Sequence, residues 1–146
     1  MKFRLMVESD MTQVLVNERN AYSHPWTEGN FKGSLDGSDE VWVLESESGV
    51  IGHGVISVAV GEAHLLNICV ARDYHRQGLG RYIIQYLLNR SKALGADIMF
   101  LEVRESNNAA RALYVSEGYE EIGLRKNYYP LATERENAIV MSRSIG

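Results

Sequence analysis

An α/β fold with one mixed sheet is predicted by three features of this 146-residue chain. Runs rich in β-branched and aromatic residues alternate with apolar stripes of helical period. One run, Ile98-Met99-Phe100-Leu101-Glu102-Val103, is almost continuously apolar and lies between two such stripes, as expected of a strand covered on both faces. The elements read strand, one or two helices, three strands, helix, strand, helix, two strands, an order that puts helices on both faces of six to seven strands. One domain, residues 1–146, accounts for the length.

Each element has a local reason. After an N-terminal strand, Met11, Val14, Leu15 and Tyr22 form an apolar stripe behind the cap candidates Ser9 and Asp10. A shorter helix is predicted over Thr27 to Leu35. Val41 to Val60 reads as two strands because Ser48-Gly49 interrupts it, and His64 to Val70 reads as a third. Leu79, Ile83, Tyr86, Leu87 and Leu94 make the second long stripe, stopped by Gly95. Ala109, Ala110, Leu113 and Tyr114 make the third, started by Ser106 or Asn107 and stopped by Gly118. Tyr119 to Leu124 and Ala138 to Met141 supply the last strands. The two prolines, Pro25 and Pro130, are expected in loops.

Composition narrows the function classes. The chain is 45% hydrophobic and 23% charged, the balance of a soluble domain. A single cysteine, Cys69, rules out an internal disulfide framework and suits a cytoplasmic setting. The first residues, Met1 to Met6, are too short an apolar run for a signal peptide, and no stretch approaches the roughly 20 apolar residues of a membrane span. The net charge of −4 argues against direct nucleic-acid binding. His24, His53, His64 and His75 lack paired metal spacing, so no metal is expected.

The segment His75-Arg76-Gln77-Gly78-Leu79-Gly80-Arg81 lies between a strand and a helix. A helix start offers N–H groups without partners and the positive end of the helix dipole. Glycines let the backbone curl towards a ligand, and Arg76 and Arg81 can add charge-assisted bonds. The product is an anion site. Ile83 stands where a dinucleotide fingerprint needs its third glycine, and no Gly-Lys-Ser/Thr follows, so NAD and ATP fit worse.

The block Asn67-Ile68-Cys69-Val70 through Arg81 resembles the cofactor motif of the GNAT superfamily of acetyltransferases. That motif runs Gln or Arg, two residues, Gly, one residue, then Gly or Ala, and His75 departs from it at the first position. Downstream, Leu101 to Asn107, Ala112-Leu113-Tyr114, Gly118-Tyr119 and Arg125-Lys126-Asn127-Tyr128-Tyr129-Pro130 resemble the RimI branch, which acetylates the N-terminal alanine of the eighteenth protein of the small ribosomal subunit. His24-Pro25-Trp26 is similar to that branch's Pro-Trp loop. The resemblance implies acetyl-CoA as cosubstrate. It places the pantetheine arm on the backbone of Ile68, Cys69 and Val70, with a further bond from Asn107. The pyrophosphate falls on Arg76, Gln77, Gly78, Leu79, Gly80 and Arg81. Glu102 matches the general base and Tyr114 the general acid.

Those roles suit the chemistry. A free α-amino group has a pKa of about 7.7–8.0, so roughly one in ten is neutral at pH 7, whereas a lysine costs about 3.5 kcal/mol more. A carboxylate acting directly or through one water can complete the deprotonation. Glu102, at the end of an apolar run, is expected to be desolvated. Tyr114 can protonate the departing thiolate, and an N–H near Val70 can polarise the carbonyl; a bulge would expose such a donor, but the sequence does not announce one. Cys69 sits in an apolar strand without an adjacent base, which disfavours an acyl-enzyme. Trp26, Tyr128, Tyr129 and the segment from Asn127 to Arg135 are candidates for the acceptor slot, with Glu28, Glu134 and Glu136 available to basic substrate residues. The expected partner is a protein with a free N-terminal alanine, the expected state a monomer. Acetylation of a lysine or small amine, and a non-catalytic CoA-binding module, stay open as alternatives.

Overall fold

The computed structural model describes residues 1–130 and 135–145. Its elements are β1 (Lys2–Leu5), α1 (Met11–Ala21), α2 (Glu28–Asp36), β2 (Glu40–Ser46), β3 (Gly49–Ala59), β4 (Glu62–Val70), α3 (Leu79–Ala93), β5 (Ile98–Arg104), α4 (Asn108–Ser116), β6 (Glu120–Pro130) and β7 (Arg135–Ser144), with short 3-10 turns at Glu8–Asp10 and Arg72–Tyr74. This is the predicted order. The strands hydrogen-bond in the sequence β1-β2-β3-β4-β5-β7-β6, and β4 with β5 is a parallel pair in an otherwise largely antiparallel set. Two compact units share the chain: Met1–Ser57 with Leu66–Arg90, and Val58–Leu65 with Ser91–Gly146.

In the first unit, α1 and α2 cover one face of β2 and β3 and α3 covers the other. Alternation along β3 is the cause. His53 points to Glu18 of α1, and Val55 joins Val14, Phe31, Val41 and Val43 in the core. Gly52 and Gly54 point the opposite way. A Cβ on either would come within 2.8 Å of Ile83 Cδ1 or 2.5 Å of Leu87 Cδ1, so glycine is what allows α3 to sit so close. The short helix α2 starts on a capping box: Thr27 Oγ1 accepts from Asn30 N–H, and Asn30 Oδ1 accepts from Thr27 N–H. Tyr22 leaves the predicted stripe of α1. Its backbone is extended, which ends the helix at Ala21.

In the second unit, α3 and α4 end alike. Gly95 (φ 91°) and Gly118 (φ 90°) take the left-handed position, and the next residues, Ala96 and Tyr119, donate back to Ser91 O and Tyr114 O. Leu94 therefore falls outside α3 and is exposed, contrary to its place in the predicted stripe. β5 is not covered equally on both faces. Met99, Leu101 and Val103 are buried, whereas Ile98, Phe100, Glu102 and Arg104 are only half-buried. The last two strands run well past their predicted ends, and Pro130 closes β6 rather than lying in a loop.

Candidate active site

The end of β4 and the start of α3 supply main-chain groups. The parallel ladder with β5 runs from Glu62↔Ile98 to Leu65↔Leu101, and β4 continues to Val70. A Cβ on Gly54 would meet Asn67 O at 3.5 Å and one on Gly52 would meet Cys69 O at 3.1 Å, while Ala71 N–H donates to Ile51 O. Odd-numbered residues thus turn their main chain to β3. Ile68 and Val70 turn theirs to the other edge. Of the three residues expected to hold pantetheine, these two present the edge, and Cys69 does not. Two side chains reach that edge: Tyr22 Oη donates to Ile68 O, and His75 Nε2 donates to Val70 O at 2.7 Å. The imidazole that departs from the family motif is thus tied to the strand.

After the 3-10 turn, Arg76 (φ 64°) and Gly78 (φ 75°) both adopt the left-handed region. For Arg76 this conformation costs about 1–2 kcal/mol, the kind of local strain found at ligand clamps. A Cβ on Gly78 would meet nothing within 4 Å, so conformation, not space, calls for glycine there. Gly80 lies inside α3. The first bond of that helix runs from Tyr82 N–H to Gly78 O, so the main-chain donors of Leu79 and Gly80 precede the ladder. Leu79 is buried and anchors the turn, while Arg76, Gln77 and Arg81 are exposed.

Side chains dominate the second unit. Glu102 on β5 is about one-third exposed, and Arg125 Nη1 donates to its Oε1 at 3.0 Å. The expected desolvation is only partial because its face of β5 is partly covered. Arg125 also lies over the Tyr128 ring at 4.9 Å. Tyr114 on α4 is buried at 6% exposure, next to Tyr119 with ring centroids 5.8 Å apart. Burial, helped by Tyr119 and Tyr129, pushes its phenol well above the ordinary value. Tyr129 is pushed up to about 12 by burial and by the Glu102 carboxylate. It therefore lies within electrostatic reach of both Glu102 and Tyr114. Asn107 caps α4 with Oδ1 on Ala110 N–H, which leaves its Nδ2 donors for other use.

The aromatic segment owes its shape to a bulge. Arg125 pairs with Ala138 and Tyr129 with Glu136, so three residues of β6 stand opposite the single Asn137. Asn127 takes φ 56° and its N–H donates to Asn137 Oδ1. Tyr128 is thereby exposed, while Tyr129 is half-buried with Arg104 over its ring at 4.6 Å. Glu136 accepts one bifurcated bond from Ser106 Oγ, shared between its two oxygens, and lies 3.9 Å from Arg104. Trp26 is half-buried against Phe31, and Glu28 is exposed in the first turn of α2. Glu134 lies outside the described residues.

Sequence reasoning missed Tyr22, Arg125 and a buried network in the first unit. There, Glu18, His53 and Cys69 each bring one possible ligand atom within 4.8 Å of the others. Both Glu18 oxygens accept hydrogen bonds, and Cys69 Sγ donates to Asn17 O. Burial, reinforced by Glu18, pushes the Cys69 thiol far up, which suppresses the thiolate. No local pattern announces these contacts, since they join residues 35 to 52 positions apart.

Comparison with known proteins gives the family. The sequence model of the Acetyltransferase (GNAT) family matches residues 8–119. The [ribosomal protein bS18]-alanine N-acetyltransferase of Escherichia coli K12 is 38% identical over 128 residues, covering 88% of this chain and 86% of the relative. The Haemophilus influenzae protein of the same name is 34% identical over 134 residues, covering 91% of each. The crystal structure of the Escherichia coli ribosomal-protein-S18-alanine N-acetyltransferase superposes with a TM-score of 0.92 at 34% identity, over 99% of this chain and 94% of that one. The chain belongs to the GNAT acetyltransferase family.

Proposed function

We propose that this chain transfers the acetyl group of acetyl-CoA to the N-terminal alanine of a small-subunit ribosomal protein, the substrate class named for its relatives. The observation that carries the reading is the grouping in the second unit: a half-buried carboxylate, Glu102, and a buried phenol, Tyr114, both within electrostatic reach of Tyr129. In this reading the pyrophosphate takes the helix start from Arg76 to Arg81, and the pantetheine amides add to the edge of β4 at Ile68 and Val70. Each of those carbonyls already accepts one bond but has a second lone pair. Asn107 contributes Nδ2 donors.

The neutral α-amine attacks the thioester carbonyl carbon. Glu102, directly or through a water, takes the amine proton, and a main-chain N–H at Val70 stabilises the oxyanion. The tetrahedral intermediate collapses with cleavage of the C–S bond. Tyr114, held protonated by burial, donates a hydrogen bond to the sulfur as negative charge develops there and supplies its proton. The acetamide and free CoA leave, and all atoms balance without a metal or an acyl-enzyme.

A peptide amine is favoured over a polyamine for an electrostatic reason. Among the described residues of the second unit's site, Glu102 is paired with Arg125 and Glu136 with Ser106 and Arg104. These two carboxylates therefore offer little unpaired charge to hold a polycation. The test is incubation with acetyl-CoA and a panel of peptides varied at their first two residues, read by mass. One added acetyl group on Ala-starting peptides is expected. Acetylation of a small polyamine with the peptides untouched overturns the reading, and binding of CoA without any turnover points to the non-catalytic alternative.

A further inference from the structure

The turn from α1 into α2 carries Tyr22 and Trp26, and it is bolted to β4 by consecutive contacts. Cys69 Sγ donates to Asn17 O, Asn67 Nδ2 donates to Glu18 Oε1 at 3.1 Å, and Tyr22 Oη donates to Ile68 O. Glu18 is central. Its carboxylate, 2% exposed, accepts from His53 Nε2 at 2.9 Å and from Asn67 Nδ2 through Oε1, and from the main-chain N–H of Trp26 at 3.0 Å through Oε2. One side chain thus joins α1, β3, β4 and the loop before α2. A buried carboxylate is costly unless several donors compensate it, and here three donors from three different segments do so.

We propose that Glu18 is a positioning residue that holds the Trp26 loop in register with the coenzyme-bearing edge of β4. The proposal rests on the functional reading above, in which Ile68 and Val70 take the coenzyme, together with the place of Trp26 among the sequence candidates for the acceptor slot. The two sides of the clamp are unequal. β4 is also held by its strand ladder, so it keeps its place when the Asn67 contact is lost. The loop has no such ladder, and the bond at Trp26 N–H is made to a charged acceptor, the stronger kind of hydrogen bond. Loosening Glu18 therefore acts on the acceptor rather than on the coenzyme.

The experiment compares wild-type enzyme with Glu18→Gln, and with Glu18→Asp, which keeps the charge but is one methylene too short to reach all three donors. Steady-state KM values for acetyl-CoA and an Ala-starting peptide are measured, together with amide exchange at Trp26. The expected result is a rise of about tenfold or more in peptide KM, acetyl-CoA KM within about twofold, and faster exchange at Trp26. Asn67→Ala leaves the Trp26 bond in place and is expected to raise peptide KM less. A purely structural role would instead lower kcat with the folded fraction and leave both KM values alone, and that outcome overturns the proposal. If wild-type enzyme ignores the peptide while exchange at Trp26 still accelerates in the variants, the clamp stands and the functional reading fails.

Discussion

The proposed coenzyme region and the proposed acceptor region are built from different materials. The first uses main-chain groups, set by one strand edge at Ile68 and Val70 and by two left-handed residues, Arg76 and Gly78. The second uses side chains brought together across the sequence: Glu102 with Arg125, Arg104 with Glu136, Tyr114 with Tyr119 and Tyr129. A main-chain site tolerates most substitutions but not a change of backbone conformation. A side-chain site tolerates backbone adjustment but not the loss of one polar atom. Substitutions should therefore separate the two regions cleanly.

The largest separation is expected at Tyr114. Tyr114→Phe removes one oxygen and keeps the ring that packs against Tyr119. We expect kcat to fall by about 100-fold or more, the upper part of the range for acid–base groups, with acetyl-CoA affinity unchanged by direct titration. An unchanged rate would remove Tyr114 from the mechanism. Because burial raises its phenol, wild-type kcat should show no falling limb from this group near pH 10, the ordinary tyrosine value.

The same burial predicts the behaviour of stability in alkali. Tyr114, Tyr119 and Tyr129 all have phenols raised by burial, Tyr119 and Tyr129 to about 12. Above pH 10 the unfolded chain loses these protons while the folded chain keeps them, so the folded state binds more protons and stability falls as pH rises. Each such group steepens the loss by about 1.4 kcal/mol per pH unit. Tyr119, whose buried hydroxyl has no hydrogen-bond partner among the described residues, is the clean test. Tyr119→Phe should reduce the alkaline slope measured by urea unfolding between pH 10 and about 12. A slope identical to wild type would refute this account.

The order of elements was legible because apolar periodicity and the stop signals Gly95 and Gly118 are local. The glycine loop was legible for the same reason, as was the capping position of Asn107. What the sequence concealed is long-range. The bulge at Asn127 exists only because β6 must stay paired with β7 on both sides of two extra residues. The partner of Glu102 could not be foreseen either: Arg104 lies only two residues away in sequence, whereas the structure uses Arg125 from another strand of the sheet. Burial of β5 was overestimated since an apolar run does not say how completely each face is covered.

Gly78 tests the main-chain region. Since a Cβ there meets nothing, the penalty of substitution is conformational, about 1–2 kcal/mol for an ordinary residue and less for Asn. Gly78→Val should raise acetyl-CoA KM by about tenfold while kcat at saturation stays close to wild type, and Gly78→Asn should recover most of the loss. If Asn and Val behave alike, backbone conformation is not what the glycine supplies.

The smallest effect on stability is expected at Arg125, and it carries the most information about substrate choice. Arg125 is half-exposed and its pair with Glu102 is solvated on one side, so Arg125→Gln should cost less than about 1 kcal/mol in thermal unfolding. Its effect on specificity should be larger than its effect on stability. With the guanidinium gone, Glu102 keeps its charge without a partner, and the region becomes more attractive to a cationic amine. The rate with a small polyamine should rise relative to the rate with an Ala-starting peptide, most clearly at low salt, where such attraction is least screened. An unchanged ratio would mean that pairing of the carboxylates does not exclude polycations, and the preference for a peptide terminus would then have to come from the shape imposed by the Asn127 bulge and its two tyrosines.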